Sequence, residues 1–306
     1  VKAIILTEDH FCGLQKVDER CFDVFKPFMY KRLDLPVFFH SITQMISMGG
    51  FYYVIIEGCL IVFRVNSIYG NYSCIVYFSP ISLSNSVQTE QVLFASLLKA
   101  GFSVRVTTDE VKRLSLSLKS VHGKLDSFGG EFIYSTKNTL DMAGKVYLGT
   151  RNKFNKFNKS GGMVTHSSSV DAFDFLLDFA DKKGINYRKL VDFLCRFNSE
   201  NLFYTVLSLN NEIQSFSVVE QAGIFYNMVI MASNHEASFD INPAALYYTV
   251  QGLPKKDTYL NSGGGRTPGI TMMKRGLLPV VENPVYRVPA IGEIKNAYSL
   301  VRDFLN

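Results

Sequence analysis

Three stretches of the sequence carry side chains whose types and spacing could do chemistry. Asn234-His235-Glu236 sets an imidazole beside a carboxylate directly after a long apolar run. Either group can take the proton of an attacking ammonium or hydroxyl as a general base; in a plain polar turn both would only face water. Arg151-Asn-Lys-Phe-Asn-Lys-Phe-Asn-Lys159 repeats with a period of three. On a helix that period gathers Lys153, Lys156 and Lys159 into one drifting stripe, with Asn152, Asn155 and Asn158 beside it and Phe154 and Phe157 behind. Such a stripe grips the phosphates of a nucleotide, a tRNA or a lipid headgroup, or it is the solvated face of an amphipathic linker. Gly263-Gly264-Gly265-Arg266 is either an anion nest of backbone N–H groups opening onto a helix or a flexible loop. Lys274 and Arg275 follow on the next helix and could face the same anion.

The elements that must position these groups follow from periodicity. Phe51 to Ile56 and Cys59 to Val65 read as two strands joined at Glu57-Gly58, and Tyr72 to Phe78 as a third. Thr89 to Ala100 keeps a helical period and stops at Gly101. Ser103 to Thr107 reads as a strand, Val111 to Ser120 as a helix and Glu131 to Tyr134 as a strand. In the second half, helices are expected over 171–183 and 187–197. Strands follow at 202–209, 213–219 and 223–232, then a helix over 242–251 with Pro243 in its first turn. Thr258 to Asn261 reads as a strand and Thr267 to Arg275 as a helix. Each half therefore shows helix, antiparallel meander, helix, strand, helix. The expected class is α+β, two similar units with mixed, mostly antiparallel sheets flanked by helices, at 1–160 and 161–306.

Composition narrows the function classes. The 306 residues suggest two domains at about 150 each. With 47% hydrophobic and 19% charged residues, wholesale disorder is excluded. Lys plus Arg outnumber Asp plus Glu by 32 to 27, which permits an anionic partner without demanding one. The five cysteines contain no C-x-x-C pair and the five histidines are isolated, so no metal site is expected and the thiols should be reduced. The most apolar run, Phe51 to Val65, is broken by Glu57, Gly58 and Arg64 and is shorter than the ~20 residues of a spanning helix. The first residues show no signal-peptide pattern, because four apolar residues after Lys2 lead straight into Thr7-Glu8-Asp9. The expectation is a soluble cytoplasmic protein.

That grammar fits the acyl-CoA N-acyltransferase fold (GNAT) in tandem, and two stretches sharpen it. Glu131-Phe-Ile-Tyr134, Leu140, Gly144-Lys145, Arg151-Asn152 and Phe157 match one motif in order and spacing. Tyr259-Leu-Asn261, Gly263, Gly269-Ile270, Lys274 and Pro279 match a later one. Together they resemble the family related to the C-terminal domain of bacterial lysyl-phosphatidylglycerol synthases, itself distantly similar to Fem-type aminoacyltransferases. The resemblance implies a double acyltransferase-like fold, the first unit degenerate and the second holding the active cleft. It implies transfer of an acyl or aminoacyl group from an activated donor to an amine or hydroxyl. The donor would be aminoacyl-tRNA or acyl-CoA, with tRNA a partner in the first case and no other cofactor called for. With the reading of the residues above, it points to His235 or Glu236 as the base and to Lys145, Arg151, Lys153, Lys156 and Lys274 as donor or phosphate ligands, with Gly264 and Arg266 added by the nest reading.

The sequence also departs from that pattern. Asn242 and Tyr247 stand where lipid lysyltransferases carry an acid and an arginine, which argues against lysyl transfer to lipid. Ser233 to Asn242 lacks the glycine turn that cradles a CoA pyrophosphate, which favours aminoacyl-tRNA. The alternative reading is a non-catalytic nucleotide- or nucleic-acid-binding module on the same fold.

Overall fold

Tight turns fix the two meanders. Glu57 and Gly58 both take positive φ, +50° and +67°, as do Asn210 and Asn211, at +53° and +66°. Two successive left-handed residues make a type I′ hairpin turn, whose twist matches that of the flanking strands. The computed structural model describes residues 4–29, 35–68, 71–119, 122–197, 199–234, 239–265 and 267–302. The early elements are β1 (Gln15–Lys16), α1 (Cys21–Met29), α2 (Ile42–Met48), β2 (Phe51–Ile56), β3 (Cys59–Ile68), β4 (Asn71–Val76), β5 (Ile81–Ser82), α3 (Val87–Lys99), β6 (Ser103–Thr107), α4 (Thr108–Arg113) and β7 (Lys124–Ser135). The later ones are α5 (Thr136–Asp141), α6 (Leu148–Lys159), β8 (Met163–Thr165), α7 (Val170–Lys182), α8 (Arg188–Arg196), β9 (Leu202–Leu209), β10 (Glu212–Ala222), β11 (Phe225–Ser233), α9 (Asn242–Gly252), β12 (Tyr259–Gly264), α10 (Pro268–Gly276), β13 (Val281–Val288) and α11 (Ile294–Arg302).

The chain forms two compact units: Val1–Asp34, Met48–Gly130 and Asn283–Asn306 make the first, Leu35–Ser47 and Glu131–Glu282 the second. In the first, β2, β3 and β4 form an antiparallel meander, α3 follows, and β6 returns parallel to β4. Antiparallel β13 then pairs with β6. Val54, Ile61, Phe63 and Val76 pack against Leu93 and Leu97 of α3 and Ala297 and Val301 of α11. In the second, β9, β10 and β11 form the meander, α9 follows, and β12 returns parallel to β11. Antiparallel β7 pairs with β12. Leu246 and Val250 of α9 pack on Val219, Tyr226, Met228 and Leu260. Phe216, of opposite parity on β10, meets Phe173 of α7, ring centroids 5.6 Å apart.

Each unit is thus a mixed sheet flanked by helices, the α+β class read from the sequence. The expected 160/161 boundary falls inside the second unit. The reason is an exchange of strands: the strand beside β6 comes from the end of the chain, and the strand beside β12 comes from ahead of α5. No spacing in the sequence announces it.

Three element expectations need correction. The helix expected at 111–120 is α4, which begins earlier. Thr107 Oγ1 accepts from Glu110 N at 3.3 Å and Glu110 Oε2 from Thr107 N at 2.8 Å, a capping box that fixes the start. The strand at Glu131 begins at Lys124, and Gly263-Gly264 belong to β12. None of the described helices is long and apolar enough to cross a membrane.

Candidate functional site in the second unit

The ladder between β11 and β12 is short. Tyr226 pairs with Leu260 and Asn227 with Asn261, while β11 runs on to Ser233. Beyond Asn227 the β11 edge turned toward β12 is free of that ladder. The partner of Val219 is Met228 and that of Val218 is Ile230, so Val229 is an extra residue bulged out of β11. A bulge bends its strand and re-aims the local backbone groups. The Val229 carbonyl accepts from Gln44 Nε2 at 2.5 Å.

α9 begins just after this strand. Asp240 fixes the start by accepting from Asn242 N at 3.1 Å and Asn242 Nδ2 at 2.8 Å. Lys153 of α6 pairs with the same carboxylate at 2.8 Å. Burial pulls the Asp240 carboxyl upward, but Lys153 and Asn242 outweigh it and hold it below the ordinary range. Lys156 Nζ lies 5.0 Å from the centre of the Phe239 ring, within cation–π reach. The aromatic side of α6 anchors these lysines. Phe157 is fully buried, and Phe154 lies 4.3 Å from Tyr247 and 5.5 Å from Tyr248, centroid to centroid. Tyr248 donates from its hydroxyl to Asn158 Oδ1 at 2.6 Å. The period-three repeat therefore is a helix with its phenylalanines inward. It brings Lys153 and Lys156 to the approach of α9, whose N-terminal N–H groups carry the positive end of the helix dipole.

Other expected ligands are placed differently. Arg151 donates to the carbonyls of Met142 and Gly144, the latter at 2.9 Å, and so clamps the turn that ends α5. Lys145 and Lys159 are exposed. Lys274 donates to the carbonyls of Ser262, Gly263 (3.1 Å) and Gly264 (3.0 Å), and its ammonium is 5.8 Å from the Phe132 ring centre. A lysine ammonium has three donors, and here three successive carbonyls of β12 receive them. Where a phosphate grip was expected of Lys274, the structure shows its ammonium tied to β12. Gly264 faces Glu131 across the strands and supplies one of those carbonyls rather than a nest N–H. His235, Glu236 and Arg266 lie outside the described residues. Among the described residues, no group of three His, Cys, Asp or Glu side chains gathers as metal ligands.

The two motif stretches meet. Glu131 Oε2 accepts from Asn261 Nδ2 at 2.7 Å, and Tyr134 donates to the Lys274 carbonyl at 2.9 Å. Gly263 holds φ +70°, and a Cβ there would press on the Phe38 ring at 3.0 Å. Sequence reasoning missed what surrounds them. Glu220, Asn227 and Asn261 stand side by side across β10, β11 and β12, all fully buried, and Glu131 extends the row. The segment 35–47 satisfies it. Phe38 N donates to Glu131 at 3.1 Å, Asn261 Nδ2 to Pro36 O at 2.9 Å and Asn227 Nδ2 to Val37 O at 3.2 Å. Ser41 Oγ, Ile42 N and Thr43 N donate to Glu220 at 2.8, 2.8 and 2.9 Å. Burial nevertheless dominates and raises the Glu220 carboxyl above its ordinary range. A signal was present: Glu220 shares a strand face with Phe216 and Val218, where an acid is either exposed or paired.

Solved structures of other proteins share the fold. A conserved protein of unknown function from Bacteroides thetaiotaomicron superposes with a TM-score of 0.72 at 16% identity, over 90% of this chain and 99% of its own. L-PGS from Bacillus licheniformis gives 0.59 at 15%, over 95% and 98%. FemX gives 0.62 at 11%, over 94% and 99%. The chain has their fold. It is the acyltransferase-like fold that the two motifs pointed to. No sequence-family model matches the chain, and no curated protein matches it.

Proposed function

We propose that the chain is an acyl or aminoacyl transferase whose donor lies along β11 in the second unit. The observation that carries this is the end of the β11–β12 ladder at Asn227 while β11 runs on to Ser233, followed by the start of α9 with Lys153 and Lys156 beside it. A donor carbonyl set against the β11 edge meets backbone N–H groups that have no strand partner there. These stabilise the oxyanion as an acceptor amine or hydroxyl attacks. The N-terminus of α9 and the two lysines hold donor phosphates. His235 or Glu236, next in sequence after β11, takes the acceptor's proton. Carbon–nitrogen or carbon–oxygen bond formation then expels the donor's tRNA hydroxyl or thiol. Aminoacyl-tRNA fits better than acyl-CoA, because no glycine turn precedes α9. The reaction is assigned to the cytoplasm. FemX and L-PGS, similar in fold, support the class of reaction.

The test is a donor-discharge panel of acetyl-CoA, a long-chain acyl-CoA and mixed aminoacyl-tRNAs, each with hydroxylamine as a generic acceptor. The expected result is accelerated loss of the acyl or aminoacyl group from one donor, with aminoacyl-tRNA ahead. Discharge of all of them at the uncatalysed rate overturns the reading.

A further inference from the structure

The outer face of α6 has a single chemistry. From Asn152 to Lys159 only Phe154 and Phe157 turn inward, and the other side chains alternate Asn and Lys and are all exposed. The packing explains this: the two rings lie on α9, β8, β9 and residues 239–241, which leaves the opposite side of the helix to solvent.

Counted with its neighbours, that face is positive. The nearest acids in sequence are Asp141 and Asp171, so α6 itself carries none. Strands β8 and β9 and helix α9 contain no acid either, and residues 239–241 contain one, Asp240, which pairs with Lys153. Lys156 lies against the Phe239 ring, a contact that leaves its charge uncompensated. Lys159 is exposed at the end of the helix. Neither Lys156 nor Lys159 makes an ion pair among the described residues. Arg151 gives its donors to the carbonyls of Met142 and Gly144 and is not part of this face. Two ammoniums therefore stand without a counter-charge, and a third shares Asp240.

The length of the face selects its partner. Lys153 to Lys159 covers about 9 Å of helix axis at 1.5 Å per residue. One strand of a nucleic-acid duplex carries a phosphate every 3.4 Å or so of its axis, so this length matches about three phosphates in succession. The diphosphate of CoA, two phosphorus atoms joined through one oxygen, covers only part of it. A bilayer fits poorly, because an interfacial helix turns its apolar side outward to the lipid, whereas here both rings face the protein. The Asn amides between the lysines are donors for phosphate oxygens and ribose hydroxyls.

We propose that α6 tracks the sugar–phosphate backbone of an RNA, with Lys156 and Lys159 as the main contacts, Lys153 as a weaker one, and Asn152 and Asn155 beside them. The inference rests on the donor site proposed above and names its donor as an RNA held along its chain, not only at its reacting end. Backbone contacts carry no base sequence, and they do not need the aminoacyl group.

The experiment is fluorescence anisotropy of the full chain with a short labelled RNA strand that carries no aminoacyl group, between about 50 and 200 mM salt. Two to three lysine–phosphate contacts predict that log Kd rises with log salt at a slope of about 1.5–2. Lys156→Gln and Lys159→Gln should each lower that slope by about 0.7 and weaken binding several-fold. Lys183→Gln, just past α7 on the opposite face of the sheet, should change neither. Vesicles of phosphatidylglycerol and phosphatidylcholine in equal parts should not displace the RNA. Displacement by the vesicles, a Lys159→Gln protein with the parent's slope, or an equal loss from Lys183→Gln overturns the proposal. The outcome is separable from donor discharge. RNA binding through α6 with no donor discharged upholds this proposal and removes the transfer reaction; discharge of acyl-CoA by a chain that binds no RNA does the reverse.

Discussion

Replacing Lys274 by methionine separates two roles for this residue. Methionine keeps the length and apolar stem of lysine and removes the ammonium. The structure gives that ammonium three carbonyl acceptors on β12, those of Ser262, Gly263 and Gly264. A hydrogen bond to a charged group is worth about 1.5–3 kcal/mol net. Lys274 is only half-buried, so water recovers part of the loss at the freed carbonyls. The expected cost is about 2–3 kcal/mol, close to one such bond rather than three. For a chain of this size about 1 kcal/mol moves a melting temperature by roughly 2–4 °C, so the transition that unfolds the second unit should fall by roughly 4–12 °C. Two units need not melt together, which makes calorimetry the assay, with Lys274→Arg as a partial rescue. If Lys274→Met melts like the parent while donor binding drops tenfold, the lysine is a donor ligand and the tie is inconsequential.

Other consequences follow from burial and charge. Glu220 has a carboxyl raised above its ordinary value of 4.5, so the folded state holds its proton more tightly than the unfolded state does. Its contribution is fully present below 4.5 and is lost as pH rises through the folded value; the stability gap between the parent and Glu220→Gln, measured by urea denaturation at several pH values, should therefore narrow as pH climbs. Phe157→Ala should cost about 3–5 kcal/mol through the cavity it leaves, and it should weaken donor binding and flatten its salt dependence as α6 loosens and its phosphate contacts are lost, both readable by denaturation and titration. Native thiol titration should find Cys12 and Cys195 reactive and Cys21, Cys59 and Cys74 protected, with all five thiols appearing on unfolding without reductant. Burial raises the Cys21 thiol to about 11, which slows it further even when it is briefly exposed.

The sequence was most legible where local chemistry decides structure. Glu57-Gly58 and Asn210-Asn211 are turn residues with a mechanism, and both meanders fell where they predicted. The Arg151–Lys159 repeat announced a helix and its buried face, because Phe154 and Phe157 recur at a spacing only a helix can use. Partners far apart in the chain were not legible. Asp240 meets Lys153 and Glu220 meets the 41–43 backbone through tertiary packing, which no window of sequence contains. The same holds for β13, whose pairing partner β6 precedes it by well over a hundred residues. Lys274 shows why a role is harder to read than an element. Its residue type suited a phosphate, but the carbonyls of a glycine-rich strand end offer the same ammonium a nearer set of acceptors.

Hydrogen exchange with and without aminoacyl-tRNA tests the central claim most directly, because it reports where the donor sits. The account predicts slowed exchange at the amides of Met228 to Ser233 and at the first turn of α9, abolished by the paired reversal Lys153→Glu and Lys156→Glu. Protection confined to other strands, or protection at β11 that survives the reversal of both lysines, would contradict it.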